Sequence, residues 1–357
     1  MKVGIFGLPL SGKTTLFELL TSTHVTATGK RDVPNLAVLK VPDARLDRLS
    51  AMFEPKKTTP ATIECVDVTG LSKGEMSEAQ GTTQLREVDA LAHVVRAFPD
   101  ETVPHVETTI DPLRDVKTME LELLLADMDA IGKRLPRLEK NVKRGVASDK
   151  AEQELLTKLQ GFLEKEIPLR EVELTDDEQK RLKGFGMLSL KPLIHVVSLG
   201  ESQAAQARDV ASAFGLQEIA RKKGTAVCGV MGKVEREIAD LDAAEREAFR
   251  SELGVDEPLV DKFLRISYSL LGLISFFTVG KDECRAWTIP KGIGAQRAAG
   301  RIHSDLERGF IRAEVISYDD FIAAGSMNRA KELATLRLEG KDYVVADGDI
   351  MNIRFSV

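Results

Sequence analysis

The sequence predicts an α/β phosphate-loop nucleotide-binding domain that has a mainly parallel sheet with helices on both faces. An inserted α-helical hairpin interrupts this domain, and a small α+β domain follows it. Three observations carry the prediction: a glycine-rich loop between a strand-like and a helix-like segment at the start of the chain, short apolar runs that alternate with helical stretches, and a heptad stripe of apolar residues after residue 118. Such alternation is typical of a parallel sheet covered on both faces.

The glycine-rich loop is Gly7 to Thr14, which reads GLPLSGKT and fits G-x-x-x-x-G-K-[ST]. The apolar run Lys2 to Phe6 before it is predicted as a buried strand, and apolar residues at helical spacing follow it. Gly7 and Gly12 allow the backbone to approach a phosphate closely. The N–H groups of the loop and of the helix N-terminus then face the anion. The pattern therefore predicts a nucleoside-triphosphate site.

Within this motif, individual residues have different expected roles. Lys13 is expected to reach the β- and γ-phosphates and to act in catalysis, and the Thr14 hydroxyl is expected to bind Mg²⁺. The other predicted contacts to the nucleotide come from the same loop and the first helical turn: Leu10, Ser11, Gly12 and Thr15.

Length and composition predict a cytoplasmic protein of two or three domains. The chain has 357 residues, of which 43% are apolar and 30% charged. No apolar run approaches the ~18 residues of a membrane span. The first residues already form a predicted strand, so we expect neither a signal peptide nor a membrane contact. A net charge of −6 argues against general affinity for nucleic acid but not against a local basic surface.

A second motif, D-x-x-G at Asp67 to Gly70, follows the predicted strand 61–66. We expect Asp67 to reach Mg²⁺ through a water molecule and the Gly70 N–H to sense the γ-phosphate. The polar residues 71–81 are then predicted to be a mobile switch segment. The three cysteines are far apart, lie in apolar runs and are predicted to be buried and reduced: Cys65, Cys228 and Cys284.

The middle of the chain predicts an antiparallel helical hairpin. Apolar residues three and four apart form a stripe from Leu121 to Val142, in which Pro136 is expected to kink or interrupt the helix. A second helix is predicted over 151–166, and the buried strand predicted over 191–198 returns the chain to the sheet. The predicted domains are 1–117 and 189–271 for nucleotide binding, 118–188 for the hairpin, and 272–357 for the last domain.

The remaining elements are predicted from shorter patterns. A helix over 203–214, a strand over 226–230 and a helix over 234–241 would complete the nucleotide-binding domain. The last domain is predicted to contain one helix over 295–305 and four strands, over 274–279, 284–289, 341–345 and 351–355.

Several C-terminal strings resemble those of the Obg-like ATPases of the YchF type, and the similarity covers nearly the whole chain. The strings are RAWTIP at 285–290, AAGRIHSD at 298–305, GFIRA at 309–313, EGKDYVV at 339–345 and DGD at 347–349. The resemblance implies a ubiquitin-like β-grasp (TGS) module at the C-terminus. It also implies a nucleotide-hydrolysing protein that binds the ribosome and prefers ATP to GTP. We further expect a Mg²⁺-dependent monomer that acts in translation or stress regulation.

Base recognition can be judged from the residues themselves. Guanine-specific proteins of this class read N-K-x-D after a strand, and no such string occurs here. Without that Asp, the donors of guanine would have no acceptor, so ATP is favoured. The corresponding site is Ser198 to Glu201, where the resembled family has N-x-x-E. The expected contacts to the base are Ser198, Leu199, Glu201, Met231 and Gly232.

The chain departs from the family at the positions that serve hydrolysis. Leu10 replaces the Asn associated with potassium, and Arg31 replaces the switch threonine, with Thr26 and Thr28 nearby. Leu71 stands where Ras-like enzymes have a glutamine that positions water. The family's replacement is a loop histidine, here His105, which would orient or deprotonate the attacking water. An ordinary solvated histidine is the alternative interpretation.

Three functional hypotheses remain open. The first is a slow ATPase switch that a ribosome reads through the ordering of Gly70 and its loop. The second is a module that retains ATP and hardly hydrolyses it, and the third is an Obg-type GTPase. A contact with ribosomal RNA is one interpretation of the basic residues of the last domain, and a solvated face is the other: Arg285, Lys291, Arg297, Arg301, Arg308 and Arg312.

Overall fold

A computed structural model describes residues 1–22, 35–68, 80–144, 147–239, 241–242, 245–246, 248–250 and 257–356. The chain forms two compact units. The first contains Met1–Leu39 and Glu64–Leu270, and the second contains Lys40–Ile63 and Leu271–Val357.

The sheet of the first unit positions the predicted nucleotide site. Its strands are β1 (Lys2–Phe6), β2 (Asn35–Lys40), β4 (Thr62–Asp67), β5 (Ala90–Arg96), β6 (Leu193–Ser198) and β7 (Thr225–Val230). Within the described ranges their order is β2-β4-β1-β5-β6-β7, and the pairs from β4 to β7 are parallel. The central strands β5 and β6 are buried along their whole length, as strands covered on both faces must be. The predicted α/β class is therefore confirmed.

Helices of the first unit are found where they are predicted after the phosphate loop, along the apolar stripe, near 151–166 and near 234–241, whereas those over 80–86, 176–182 and 217–220 are not among the predictions. The helices are α1 (Lys13–Ser22), α3 (Gln80–Arg86), α4 (Pro112–Lys143), α5 (Ala147–Leu163), α6 (Asp176–Leu182), α7 (Val210–Ala213), α8 (Gln217–Ala220), α9 (Gly232–Ala239) and α10 (Leu259–Leu270). The helix predicted over 203–214 is wrong. The chain there forms a 3₁₀ segment, Glu201–Ala207, with a non-helical residue at Gln203, and then the short α7.

The predicted helical hairpin is formed by α4 and α5. Their facing apolar side chains bury one another, including Ile131, Leu138 and Leu159. Each fully buried side chain of this size contributes about 1.5–3 kcal/mol. Pro136 lies inside α4 without ending it, and Ile131 and Leu138 on either side of it are both buried in this core.

The second unit is built on a mixed sheet. Its strands are β3 (Lys57–Thr59), β8 (Leu273–Thr278), β9 (Glu283–Pro290), β10 (Phe310–Ser317), β11 (Arg337–Glu339) and β12 (Asp349–Phe355). Among the described residues their order is β11-β10-β12-β8-β9-β3. Its helices are α2 (Ala44–Phe53), α11 (Ala295–Ile302), α12 (Ser304–Arg308), α13 (Tyr318–Ala324) and α14 (Met327–Glu332). The strand predicted over 341–345 is wrong, because only an isolated bridge joins Val344 to Gly294.

Residues 40–63 belong to the second unit, which differs from the predicted domain boundaries. Strand β3 pairs in parallel with β9, from Lys57 opposite Glu283 onwards. Phe53 of α2 stacks on Phe321 with ring centroids 5.5 Å apart. Arg45 pairs with Asp347 at 2.9 Å. The C-terminal sheet is therefore completed by a segment that the chain supplies between β2 and β4.

Two further expectations concern the state of the cysteines and the length and apolar character of the helices. All three cysteines are free and buried, as predicted. None of the helices in the described ranges combines the length and apolar character that crossing a bilayer requires.

Candidate nucleotide-binding site

The predicted phosphate loop lies between β1 and α1, at the carboxyl end of β1. Gly7 has a φ of 149° and Gly12 a φ of 101°, which L side chains rarely adopt. A side chain on Gly7 would begin 2.4 Å from the Val94 carbonyl oxygen, and one on Gly12 would begin 2.9 Å from Ser198 Oγ. Backbone conformation and space therefore both require glycine at these two positions.

Leu10 occupies the outer part of this loop. Its φ is 60° and 54% of the residue is exposed. A left-handed backbone costs a residue other than glycine on the order of 1 kcal/mol, and asparagine adopts it more readily than leucine. The leucine at this position therefore leaves the loop with backbone strain and an exposed apolar side chain.

Lys13 lies over the loop that it is predicted to serve. Its Nζ donates to the carbonyl oxygens of Gly7 at 3.0 Å and Leu8 at 2.7 Å. Burial lowers the pKa of Lys13, and the charge of Asp67 acts in the opposite direction. A polyphosphate would offer this ammonium charged acceptors, which form stronger hydrogen bonds than carbonyl oxygens do. The lysine is thus held at the loop by contacts that a phosphate can replace.

The predicted magnesium ligands are Thr14 and Asp67. Thr14 is exposed in the first turn of α1, and Asp67 is buried at the end of β4, in register with Ile5 of β1. In the described part of the chain, no group of three or more His, Cys, Asp or Glu residues could hold a metal ion. Mg²⁺ is usually bound by one or two protein oxygens together with substrate phosphates and water. This donor set therefore fits a magnesium ion that arrives with the nucleotide.

The predicted base-contacting residues occupy different environments. Ser198 ends β6 beside Gly12, and Glu201 is exposed at the start of the 3₁₀ segment. The side chains of Leu199 and Met231 are buried in an apolar cluster. Only the backbone of these two residues can face a nucleotide. Gly232 begins α9, where a side chain would meet Thr15 at 2.9 Å.

Phe98 and Arg96, which sequence reasoning missed, also lie at this edge. A side chain on Gly12 would begin 4.0 Å from a Phe98 ring carbon, and one on Gly200 would begin 3.6 Å from Phe98 Cβ. The Arg96 guanidinium lies over the Phe98 ring, 4.5 Å from its centroid. The sequence signal that could have identified Phe98 is an aromatic residue two positions after Arg96, which ends β5. A half-buried aromatic ring beside the loop offers a surface for a base or a ribose.

Arg96 also organises the loop that carries His105. Its three guanidinium nitrogens donate to the carbonyl oxygens of Phe98, Asp100 and Pro104 at 3.1–3.2 Å. The His105 side chain is buried, so the alternative interpretation of an ordinary solvated histidine is wrong; its Nε2 lies 3.0 Å from Asp115 Oδ2. Its Nδ1 accepts the Glu107 N–H at 3.1 Å. Both ring nitrogens of His105 are therefore occupied, so in this arrangement neither holds a water molecule.

Some predicted residues lie outside the described ranges. These are Gly70, the switch residues 71–79, and the positions considered for the first switch: Thr26, Thr28 and Arg31.

Two histidines that sequence reasoning did not pair lie below the loop. His93 of β5 is in register with His195 of β6, and their Nδ1 atoms are 3.1 Å apart. The exposed fraction is 1% for His93 and 0% for His195. Burial lowers the pKa of both imidazoles, so both are neutral near pH 7.

This pair predicts acid sensitivity of the fold. Below the unfolded pKa near 6.5, the unfolded chain binds protons at His93 and His195 that the folded chain does not bind. The free energy of unfolding should therefore fall with pH between 7 and 5, by up to about 1.4 kcal/mol per pH unit for each histidine. The charged groups that act on the pair are Lys13 on the side of His93 and Glu120, Arg170 and Lys222 on the side of His195.

Urea unfolding of the parent and of His93→Phe at pH 7, 6 and 5 measures this effect. The free energy of unfolding should change less steeply with pH in His93→Phe than in the parent. Equal slopes in the two proteins would contradict the assignment of a neutral buried His93.

The chain is a P-loop nucleotide-binding protein, because a loop with two positive-φ glycines precedes a helix N-terminus and lies next to a buried carboxylate on a parallel sheet of this order. Ribosome-binding ATPase YchF of Bacillus subtilis (strain 168) is 42% identical to this chain over 364 residues, with 100% of both chains covered. Ribosome-binding ATPase YchF of Escherichia coli O157:H7 is 41% identical over 363 residues, covering 100% of this chain and 99% of that protein. The chain belongs to the YchF family.

Two further comparisons support this membership. A family model for the C-terminal part of YchF GTPases, described as a protein of unknown function (DUF933), matches residues 273–356. The structure of the Schizosaccharomyces pombe YchF GTPase aligns with a TM-score of 0.87 at 30% identity, covering 99% of this chain and 97% of that one.

Proposed function

We propose that this chain is a Mg²⁺-dependent ATPase that hydrolyses slowly and binds the ribosome. The observation that carries the proposal is the position of Lys13, whose ammonium group donates to two carbonyl oxygens of a loop with two positive-φ glycines. The alignment over the full length with proteins named ribosome-binding ATPases supports the remainder.

In this proposal the loop residues serve the phosphates. The loop amides and Lys13 stabilise the charge that develops on the transferred phosphoryl group. Magnesium bound through Thr14 and Asp67 would neutralise part of the phosphate charge. The Gly70 N–H is proposed to sense the γ-phosphate.

The proposed preference for ATP follows from the residues at and just after the end of β6. No aspartate of an N-K-x-D string is available to accept the two donors of guanine, and Ser198 and Glu201 occupy the corresponding positions. The Phe98 ring, backed by Arg96, supplies an aromatic surface that does not distinguish one purine from another. ATP selection is therefore proposed to come from the missing guanine acceptor.

Calorimetric titration with ATP, GTP and ADP, each with and without Mg²⁺, tests the proposal. We expect ATP to bind more tightly than GTP, with an affinity that Mg²⁺ increases. Tighter GTP binding would instead support the Obg-type GTPase. Single-turnover hydrolysis with and without ribosomes then separates a slow ATPase from a module that only retains ATP.

We propose that His105 acts on the attacking water after its loop has moved. Asp115 fixes the proton on Nε2, so Nδ1 becomes the basic nitrogen once the Glu107 N–H releases it. His105→Ala should then lower the single-turnover rate about 100-fold and leave the ATP dissociation constant unchanged. His303→Ala, which removes an exposed histidine, is the control. An unchanged rate in His105→Ala would show that His105 is structural.

For ribosome binding we propose a contact through exposed basic residues of the second unit. Lys291, Arg297, Arg301 and Arg312 are exposed; Arg308 is exposed as well but is paired with Asp305, and the half-buried Arg285 lies over Trp287. Such a contact would weaken with salt. We propose that the chain works as a monomer in the cytoplasm, where ribosomes are found.

A further inference from the structure

Charged groups at the base of the hairpin lie next to one end of the buried pair His93 and His195. His195 Nε2 is 3.4 Å from Glu120 Oε1 of α4. This is a contact with a charged group and not a hydrogen bond, because His195 Nε2 has no hydrogen-bond partner among the described residues. The same carboxylate oxygen accepts from Arg170 at 2.6 Å. Although burial raises it, the pKa of Glu120 is lowered overall by His195 and Arg170. An ionised carboxylate therefore faces His195 on the side away from His93.

At its other end the pair reaches the floor of the phosphate loop. The His93 ring stacks on Phe6, with ring centroids 5.1 Å apart. Two atoms lie close to the position that a Cβ atom on Gly7 would occupy. His93 Cδ2 is 3.3 Å from this position, and Ser11 Oγ is 3.2 Å from it. Among the described residues, neither Ser11 Oγ nor His93 Nε2 has a hydrogen-bond partner, and both are buried. A possible donor and a possible acceptor thus flank Gly7.

The proton positions follow from the charge of Glu120. A contact between two Nδ1 atoms needs one nitrogen that carries a proton and one that does not. The carboxylate favours a proton on His195 Nε2, which leaves His195 Nδ1 as the acceptor. His93 must then carry its proton on Nδ1, and its Nε2 is left with a free lone pair. The Ser11 hydroxyl can donate to that lone pair.

We propose that His93 is a positioning residue for the phosphate loop. Its Nε2 accepts a hydrogen bond from the Ser11 hydroxyl when the loop closes around a polyphosphate. Glu120, acting through His195, holds His93 in the tautomer that this bond requires. The inference rests on the proposed nucleotide binding, and it links the base of the hairpin to the loop through complementary donors and acceptors.

The first experiment measures ring tautomers by ¹⁵N NMR in the full chain, which contains five histidines. His93→Phe and His195→Phe assign the signals. With and without ATP, His93 should carry its proton on Nδ1 and His195 on Nε2. A proton on His93 Nε2 would overturn the proposal. The measurement on the free protein does not depend on ATP binding, so a failure here differs from a failure of the proposed function.

The second experiment tests the coupling with two mild substitutions. Ser11→Ala and Glu120→Gln should each weaken ATP binding about 3- to 10-fold, the value of one ordinary hydrogen bond. The double variant should lose little more than either single one, because both substitutions remove the same interaction. Glu139→Gln, at an exposed position of α4, should leave the affinity unchanged.

Melting temperatures show that each variant is folded before its affinity is compared. If the loss of ATP affinity in the double variant equalled the product of the two single losses, the two sites would act independently, and the proposal would be overturned. An affinity in Glu120→Gln equal to that of the parent would overturn it as well. If the parent itself binds neither ATP nor GTP, the proposed function fails and the tautomer measurement still stands.

Discussion

Lys13→Ala is expected to weaken ATP binding by about 100-fold or more. Lys13 supplies the ammonium at the phosphate loop, where it now lies on the carbonyl oxygens of Gly7 and Leu8. Its loss removes hydrogen bonds to the β- and γ-phosphates, each worth about 1.5–3 kcal/mol when charged groups are involved. A loss of about 3 kcal/mol corresponds to roughly a 150-fold change in the dissociation constant.

Calorimetric titration with ATP and Mg²⁺ measures this change. Lys40→Ala, at the exposed end of β2, is the matched control and should bind ATP as the parent does. The variant must retain the parent's circular dichroism spectrum. If folded Lys13→Ala bound ATP as tightly as the parent, the assignment of the loop as a phosphate site would be wrong.

Asp127→Ala is expected to lower the free energy of unfolding by about 3–5 kcal/mol. The Asp127 side chain is 0% exposed, and its carboxylate accepts from the Leu188 N–H, the Ser189 N–H and the Ser189 hydroxyl at 2.7–2.9 Å. Arg86 Nη1 is 3.3 Å away. Alanine would leave these buried donors without an acceptor, which costs far more than the bonds contribute when present.

Asp129→Ala is the control on the same helix. The Asp129 side chain is 37% exposed and pairs with Lys133 one turn along α4. An exposed ion pair of this kind contributes about 0.5 kcal/mol or less. Urea denaturation followed by circular dichroism compares the two variants. Equal losses would show that the Asp127 network does not hold α4 to the segment before β6.

The strands beneath the nucleotide site were predictable because each is a short apolar run with a turn or motif at its end. Strand β1 was predicted with its observed ends, and β6, predicted over 191–198, begins two residues later than predicted. The helix predicted over 203–214 failed because its apolar spacing is helical while the backbone turns at Gln203. There the Gln203 side chain bonds to the Gly200 N–H and the Ala97 carbonyl oxygen instead. Local side-chain bonding thus prevailed over the apolar pattern.

The site was predictable where a motif links neighbouring residues, and it was missed where strands bring distant residues together. The loop and Lys13 came from one string of eight residues. His93 and His195 are 102 positions apart, and each alone resembles a core residue. Phe98 becomes informative only when Gly12 and Gly200 lie beside it.

The sequence by itself determined the phosphate loop, the alternation of strands and helices, and the hairpin, because each depends on residues that are neighbours along the chain. Only the tertiary structure decided that residues 40–63 complete the C-terminal sheet, that His105 is tied to Asp115, and that two histidines connect Glu120 with the floor of the loop. These features depend on which strands and helices become neighbours in space. An amphipathic helix such as α2 has the same local pattern whichever sheet it covers.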